Sequence, residues 1–123
     1  MGHKLEQLQR SIEKYYHRNK GVLDTLSKLQ ISVAKTQRCV IKTATQCGCT
    51  ELYIKKQPPD IMGEAESMLK GDICNGCREC LEQCLGDVLF YFISLALLTE
   101  TDVNQLIENQ VKQLELLGKF NLK

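Results

Sequence analysis

Six of the seven cysteines fall in two tight groups, Cys47-Gly48-Cys49 and the run Cys74-x2-Cys77-x2-Cys80-x3-Cys84. The second group leads directly into the most apolar stretch of the chain, which ends at Leu98. A thiol site and the centre of the core therefore share one segment, and whatever the chain folds into must satisfy both. An odd cysteine count, with no charged-then-apolar export segment opening the chain, argues for thiols, metal ligands or cluster ligands rather than a disulfide framework.

The register along Cys74–Leu98 divides the run. Leu81, Leu85, Val88, Phe92 and Leu95 recur at helical steps and form a predicted apolar row. Cys80, Cys84, Asp87 and Tyr91 form the row beside it, at steps of 4, 3 and 4. The spacing of the four cysteines matches the bacterial ferredoxin run, but the proline that follows the last cysteine there is Leu85 here, and no second copy exists. A loop wrapped around a cluster and an unbroken helix cannot occupy the same residues. The alternative joins Cys47 and Cys49 to Cys74 and Cys77. Each pair stands at the end of a long predicted helix, and antiparallel packing would bring the pairs to one end of a bundle. Four thiolates in a tetrahedron suit a structural Zn²⁺. Free thiols are the third possibility. Cys39 stands alone in sequence and reads as a small buried hydrophobe.

Helical periodicity covers most of the remainder. Leu5, Leu8, Ile12 and Tyr15 predict a helix over 4–18, with Gly21 as its left-handed cap. Val22, Leu26, Leu29, Val33, Thr36, Val40 and Ala44 predict a long helix from Val22 to Thr45. A second row, Leu23, Ile31, Ala34 and Ile41, widens its apolar face beyond what one hairpin partner covers, which predicts a homodimer. Leu52-Tyr53-Ile54 reads as a short extended piece, Pro58-Pro59 as a helix stop, and Asp60–Lys70 as a short helix ended by Gly71. Thr99–Asp102 breaks and recaps the chain. Val103, Leu106, Ile107, Val111, Leu114 and Leu117 predict a last helix, with Gly118 as its cap and Phe120 folding back onto it. The expected class is all-α: one domain over 1–123, an N-terminal helix over 1–20, and a bundle over 22–120 whose cysteine-bearing linker is 46–78.

At 123 residues, with 43% apolar and 25% charged residues, such a chain can bury a core without staples. The longest uncharged apolar run, Val88–Leu98, has eleven residues, short of the roughly 20 a bilayer requires, so no membrane partner and a cytoplasmic location are expected. Residues 1–58 hold 11 basic and four acidic residues, and residues 59–123 hold five and 11. The basic residues are spread along helices rather than clustered, so the asymmetry reads as faces that neutralise each other, not as a nucleic-acid surface.

Leu85-Gly86-Asp87-Val88-Leu89-Phe90-Tyr91 resembles the helix of MazG-like nucleotide pyrophosphohydrolases, whose pattern reads Glu-Leu-Gly-Asp-Val-Leu-Phe-Tyr. Asn109-Gln110-Val111-Lys112 and Leu117-Gly118-Lys119-Phe120 are similar too, so the resemblance spans roughly 22–120. It implies an all-α, commonly dimeric core in which carboxylates of two helices hold Mg²⁺, grip a nucleoside triphosphate and activate water for pyrophosphate release. Mg²⁺ demands oxygen ligands, so the acids decide the matter. Asp87 matches the Asp of the family's Glu-x-x-Asp, but the Glu position is Cys84, and Glu79 and Glu82 lie to the flanks. The preceding helix, where active members carry Glu-Glu-x-x-Glu, holds only Asp24, and its middle is basic. Asp87 is then expected as a helix-buried acid paired with Lys35, Arg38 or a hydroxyl. The expectation is a MazG-like protein without the standard Mg²⁺ site, binding a nucleotide or a protein partner. Two alternatives stand beside it: an active nucleoside triphosphate pyrophosphohydrolase using Glu79, Glu82 and Asp87 with Mg²⁺, and a thiol or iron–sulfur redox sensor.

Overall fold

The computed structural model describes residues 2–15, 21–55 and 66–121. It is mostly helical, as the periodicity predicts. Helix α1 is Gly2–Tyr15, α2 is Val22–Lys42, α3 is Asn75–Leu98 and α4 is Val103–Asn121. Strands β1, Glu51–Lys55, and β2, Glu66–Lys70, form an antiparallel pair.

The chain divides into two compact units, Met1–Leu29 with Leu89–Lys123, and Gln30–Val88. In the first, Ile12 of α1, Ile93 and Ala96 of α3 and Val103 of α4 form the buried core, with Leu5, Leu8, Phe90 and Leu97 packed against it. Truncating Ile93, which is 1% exposed, would cost about 2–5 kcal/mol. The predicted α1 row holds through Ile12, but Tyr15 projects into solvent. The buried face of α3 here is Ile93, Ser94 and Ala96, not the predicted row, since Phe92 is exposed. Among the described side chains of α4 Val103 alone is buried, and Ile107, Val111, Leu114 and Leu117 are exposed.

The turn between α3 and α4 forms as Thr99–Asp102 predicts. Glu100 takes the left-handed conformation, φ 54°. The amide of Thr101 donates to the Ala96 carbonyl at 2.8 Å and that of Glu100 to Leu97 at 3.3 Å, a paired C-terminal cap. Asp102 Oδ1 then accepts from the Gln105 amide at 3.3 Å and opens α4. Two predicted caps fail. Gly21 has no positive φ; its carbonyl instead accepts the Thr25 amide at 3.1 Å and starts α2. Gly118 lies inside α4, and Phe120's side chain is outside the described residues.

The Gln30–Val88 unit holds the thiols. Helix α2 ends at Lys42, three residues before the predicted Thr45, and continues as a π-helical turn over Thr43–Cys47. Residues 66–70 form a strand where a helix was predicted over Asp60–Lys70; the start of that prediction lies outside the described residues. Pairing with Glu51–Lys55 satisfies the backbone of Glu66–Lys70 and sets Met68 and Leu69 opposite Tyr53 and Leu52. Lys70 Nζ stands 4.1 Å from the Tyr53 ring centroid, a diagonal cross-strand pair.

Candidate metal centre

The π-helical turn builds the first half of the site. A π turn shifts the hydrogen-bonding register by one residue and leaves the Thr43 carbonyl free to collect several donors. It receives the Gly48 amide at 2.9 Å, the Thr50 amide at 3.2 Å and the Cys49 thiol at 3.7 Å. Thr43 itself is fully buried. Its hydroxyl donates to the Val40 carbonyl at 2.7 Å, so the Thr50 hydroxyl, also 2.7 Å away, must be the donor between the two threonines. Gly48 closes the turn at φ 82°, a left-handed conformation that glycine takes without steric cost. The outcome is a knuckle that turns Cys47 and Cys49 to one side.

The second half comes from the chain leaving β2. Gly71, at φ 99°, passes so close to the knuckle that a Cβ there would stand 3.1 Å from the Cys49 carbonyl oxygen. Cys74 precedes α3, and its carbonyl accepts the Arg78 amide at 2.8 Å; Cys77 lies in the first turn of the helix. The sulfurs of Cys47, Cys49, Cys74 and Cys77 all lie within 4.8 Å of one another, and those of Cys47 and Cys74 are 3.8 Å apart. In a tetrahedral site with metal–sulfur bonds of about 2.3 Å, sulfurs stand about 3.8 Å apart. The four thiols could therefore hold one metal ion with little movement. A four-iron cluster places its ligating thiolates on different irons, farther apart than the corners of one ion's tetrahedron.

These thiols perturb one another. Cys74 is drawn down to about 7, first by the Cys77 backbone amide and then by the Cys77 and Cys47 thiols. Cys77 is pushed up, chiefly by its hydrogen bond to Cys74. At Cys47 the bond to Cys77 pulls down and the bond to Cys74 pushes up, and the balance is upward. A single site thus starts with one thiol poised as thiolate and others holding their protons, which a metal would displace.

The remaining cysteines of the run belong elsewhere. Cys80 and Cys84, one turn apart on α3, gather with Cys39 of α2, and these three sulfurs also lie within 4.8 Å of one another. The ferredoxin-like spacing is therefore split between two groups, Cys74 and Cys77 in one and Cys80 and Cys84 in the other. Cys39 is buried, as expected of a small hydrophobe, but it has thiol neighbours that its isolated place in the sequence did not reveal. It is pushed up to about 11 by its hydrogen bond with Cys80, then by burial. Burial likewise pushes Cys84 up, with the Cys80 and Asp87 charges adding to it.

Among the acids, Glu79 and Glu82 are exposed, and Asp87 is half-buried. Its Oδ1 accepts the Gln83 side-chain amide at 3.1 Å, one turn back on α3. The predicted partners Lys35 and Arg38 make no ion pair with it; among the described residues the ion pair found is Lys28–Asp24 at 3.5 Å. The groups of potential metal ligands among the described residues are the two thiol sets, and neither includes Glu79, Glu82 or Asp87.

Comparison with protein-family models, with curated proteins and with solved structures yields no match to this chain. What defines its class is internal: a mostly helical protein with two thiol clusters, one at a π-turn knuckle and one between helices α2 and α3.

Proposed function

We propose that this chain is a MazG-like helical protein whose knuckle is closed by a structural Zn²⁺ on Cys47, Cys49, Cys74 and Cys77, and which works by binding rather than by Mg²⁺-dependent hydrolysis. The observation that carries the reading is the convergence of four sulfurs from two separate segments to within 4.8 Å. Zinc suits them because it is borderline-soft, takes thiolates tetrahedrally and has no redox demand. The metal would tie the turn that ends α2 to the start of α3, across the connection that carries the two-stranded pair.

The binding role draws support from the acid positions. A pyrophosphohydrolase site needs several carboxylates aimed at one Mg²⁺. Here Glu79 and Glu82 extend into solvent and Asp87 is engaged by Gln83.

The proposed partner is a second copy of the chain, with a nucleotide or another protein as the bound species. In the Gln30–Val88 unit, Val33, Val40 and Ile41 of α2 and Leu85 and Val88 of α3 line an apolar groove of about 460 Å³. Val33, Ile41 and Leu85 are about half exposed. Exposed apolar surface of this kind marks an interaction face. Helix α3 is long and apolar enough, by length and composition, to cross a bilayer, more than its eleven-residue uncharged run suggested. Only 17% of that apolar stretch is buried; Ile93 and Ala96 pack against α1 and α4 residues, and Glu82 and Asp87 interrupt its apolar run.

The reading is tested by assay of the pure protein with Mg²⁺ or Mn²⁺ and a panel of deoxynucleoside triphosphates. No pyrophosphate release is expected. Turnover that Asp87→Asn abolishes would replace the binding role with catalysis.

A further inference from the structure

The three-thiol group is a different kind of site from the knuckle, and zinc chemistry does not account for it. We propose that Cys39, Cys80 and Cys84 bind a soft monovalent ion of the copper(I) class in three-coordinate geometry.

The geometry is close to what such an ion needs. A planar three-thiolate site with bonds near 2.3 Å sets its sulfurs about 4.0 Å apart, and the three sulfurs already lie within 4.8 Å of one another. Cys80 and Cys84 share one face of α3 because they are one helical turn apart, and α2 supplies Cys39.

The ligand set selects the ion. It is purely thiol: no histidine or carboxylate among the described residues joins the group. Glu79 and Glu82 are exposed, and Asp87, which continues the Cys80–Cys84 row of α3, is engaged by Gln83. Three sulfurs do not make the closed four-ligand site of a structural zinc, and zinc there would need a water as well, whereas a soft monovalent ion accepts three sulfurs alone. On binding, three S–H groups release three protons to solvent and three metal–sulfur bonds form, with no change of oxidation state. The product carries two negative charges. Lys35 and Lys42, one turn before and after Cys39 on α2, offset part of that charge.

The burial gradient assigns the site a mode of use. Cys39 is buried, Cys84 half-buried and Cys80 exposed. An ion can be handed over at Cys80 by a thiol-bearing donor and then shielded at Cys39. That is the arrangement of an exchangeable site, whereas the knuckle thiols tie two chain segments together. The proposal stands apart from the zinc reading, and either can fail alone.

The test uses the full chain as purified, reduced and anaerobic, titrated with copper(I) against a chromophoric copper(I) chelator while released zinc is measured. One equivalent of copper(I) is expected to bind without loss of any zinc present, with three sulfur neighbours by X-ray absorption. Cys84→Ser and the exposed Cys80→Ser should each abolish that equivalent, and Cys47→Ser should leave it in place. Copper(I) bound equally by wild type and Cys84→Ser, bound only as zinc is displaced, or not bound at all, would overturn the assignment.

Discussion

The hydroxyls of Thr43 and Thr50 meet 2.7 Å apart at the base of the knuckle, both buried. Thr43 passes its own proton to the Val40 carbonyl, so one side chain joins the end of α2, the π-helical turn and the approach to β1. Thr43→Val keeps the shape and removes the hydroxyl. It leaves the Thr50 hydroxyl short of its acceptor in a buried place, at about 1–3 kcal/mol. Thermal denaturation should show a melting temperature lower by several degrees. An unchanged melting temperature would mean that these hydrogen bonds do not hold the turn.

Gly71 tests how tightly the two cysteine pairs are held together. An alanine there meets both a left-handed backbone, φ 99°, and the Cys49 carbonyl oxygen at 3.1 Å. The expected cost is about 1–3 kcal/mol from the backbone conformation, with weaker metal retention because Cys49 is displaced. Gly76→Ala, inside α3 where a Cβ meets nothing within 4 Å, is the matched control and should lower neither stability nor metal retention.

Alkylation of the metal-free protein should distinguish the thiols by their proton affinities. Cys74, at about 7, is half thiolate near neutrality and should react first, its rate rising through that pH. Cys39, buried and pushed up to about 11, should react last. The linkage signs are opposite. The lowered Cys74 value contributes stability above the ordinary thiol range that is lost as pH falls through about 7, whereas the raised Cys39 value contributes stability that is lost as pH rises towards about 11. Peptide mapping after brief labelling at several pH values reads this directly, and equal labelling of both residues would contradict it.

Leu85→Glu and Ile41→Glu each place a charge on the apolar groove of the Gln30–Val88 unit. Both residues are about half exposed, so helix content should hold while the dimer dissociates. Sedimentation analysis should show wild-type dimers and variant monomers. A monomeric wild-type protein would remove the second copy as the groove's occupant.

Particular residues show how far the sequence was legible. The α1 row through Ile12 and the start of α4 at Asp102–Val103 follow from helical spacing and cap chemistry, because those contacts are local. The pairing of Cys47 and Cys49 with Cys74 and Cys77 was legible as well, since Gly48 and the helix register limit where each sulfur points. The strand at Glu66–Lys70 was not, because a short apolar pattern fits either period and only the partner at Glu51–Lys55 decides. On α2 the most apolar rows are not the buried ones: Thr25, Ser32 and Cys39 are buried, while Val22, Ile31, Val33 and Ile41 are exposed. Hydropathy finds apolar faces but does not say which are covered. Cys39 was missed as a member of a thiol group, since its neighbours Cys80 and Cys84 lie far along the chain. The one available signal was that Cys80 and Cys84 share a face of α3, which left two thiols in need of a third.

Metal content measured by elemental analysis, on protein purified without added metal or chelator, tests the four-thiol knuckle most directly. One zinc per chain is expected, lost together with several degrees of melting temperature in both Cys47→Ser and Cys74→Ser. Protein that carries no zinc, does not take it up when reduced and supplied with it, and melts at the same temperature with or without Cys74 would contradict a structural metal at this site.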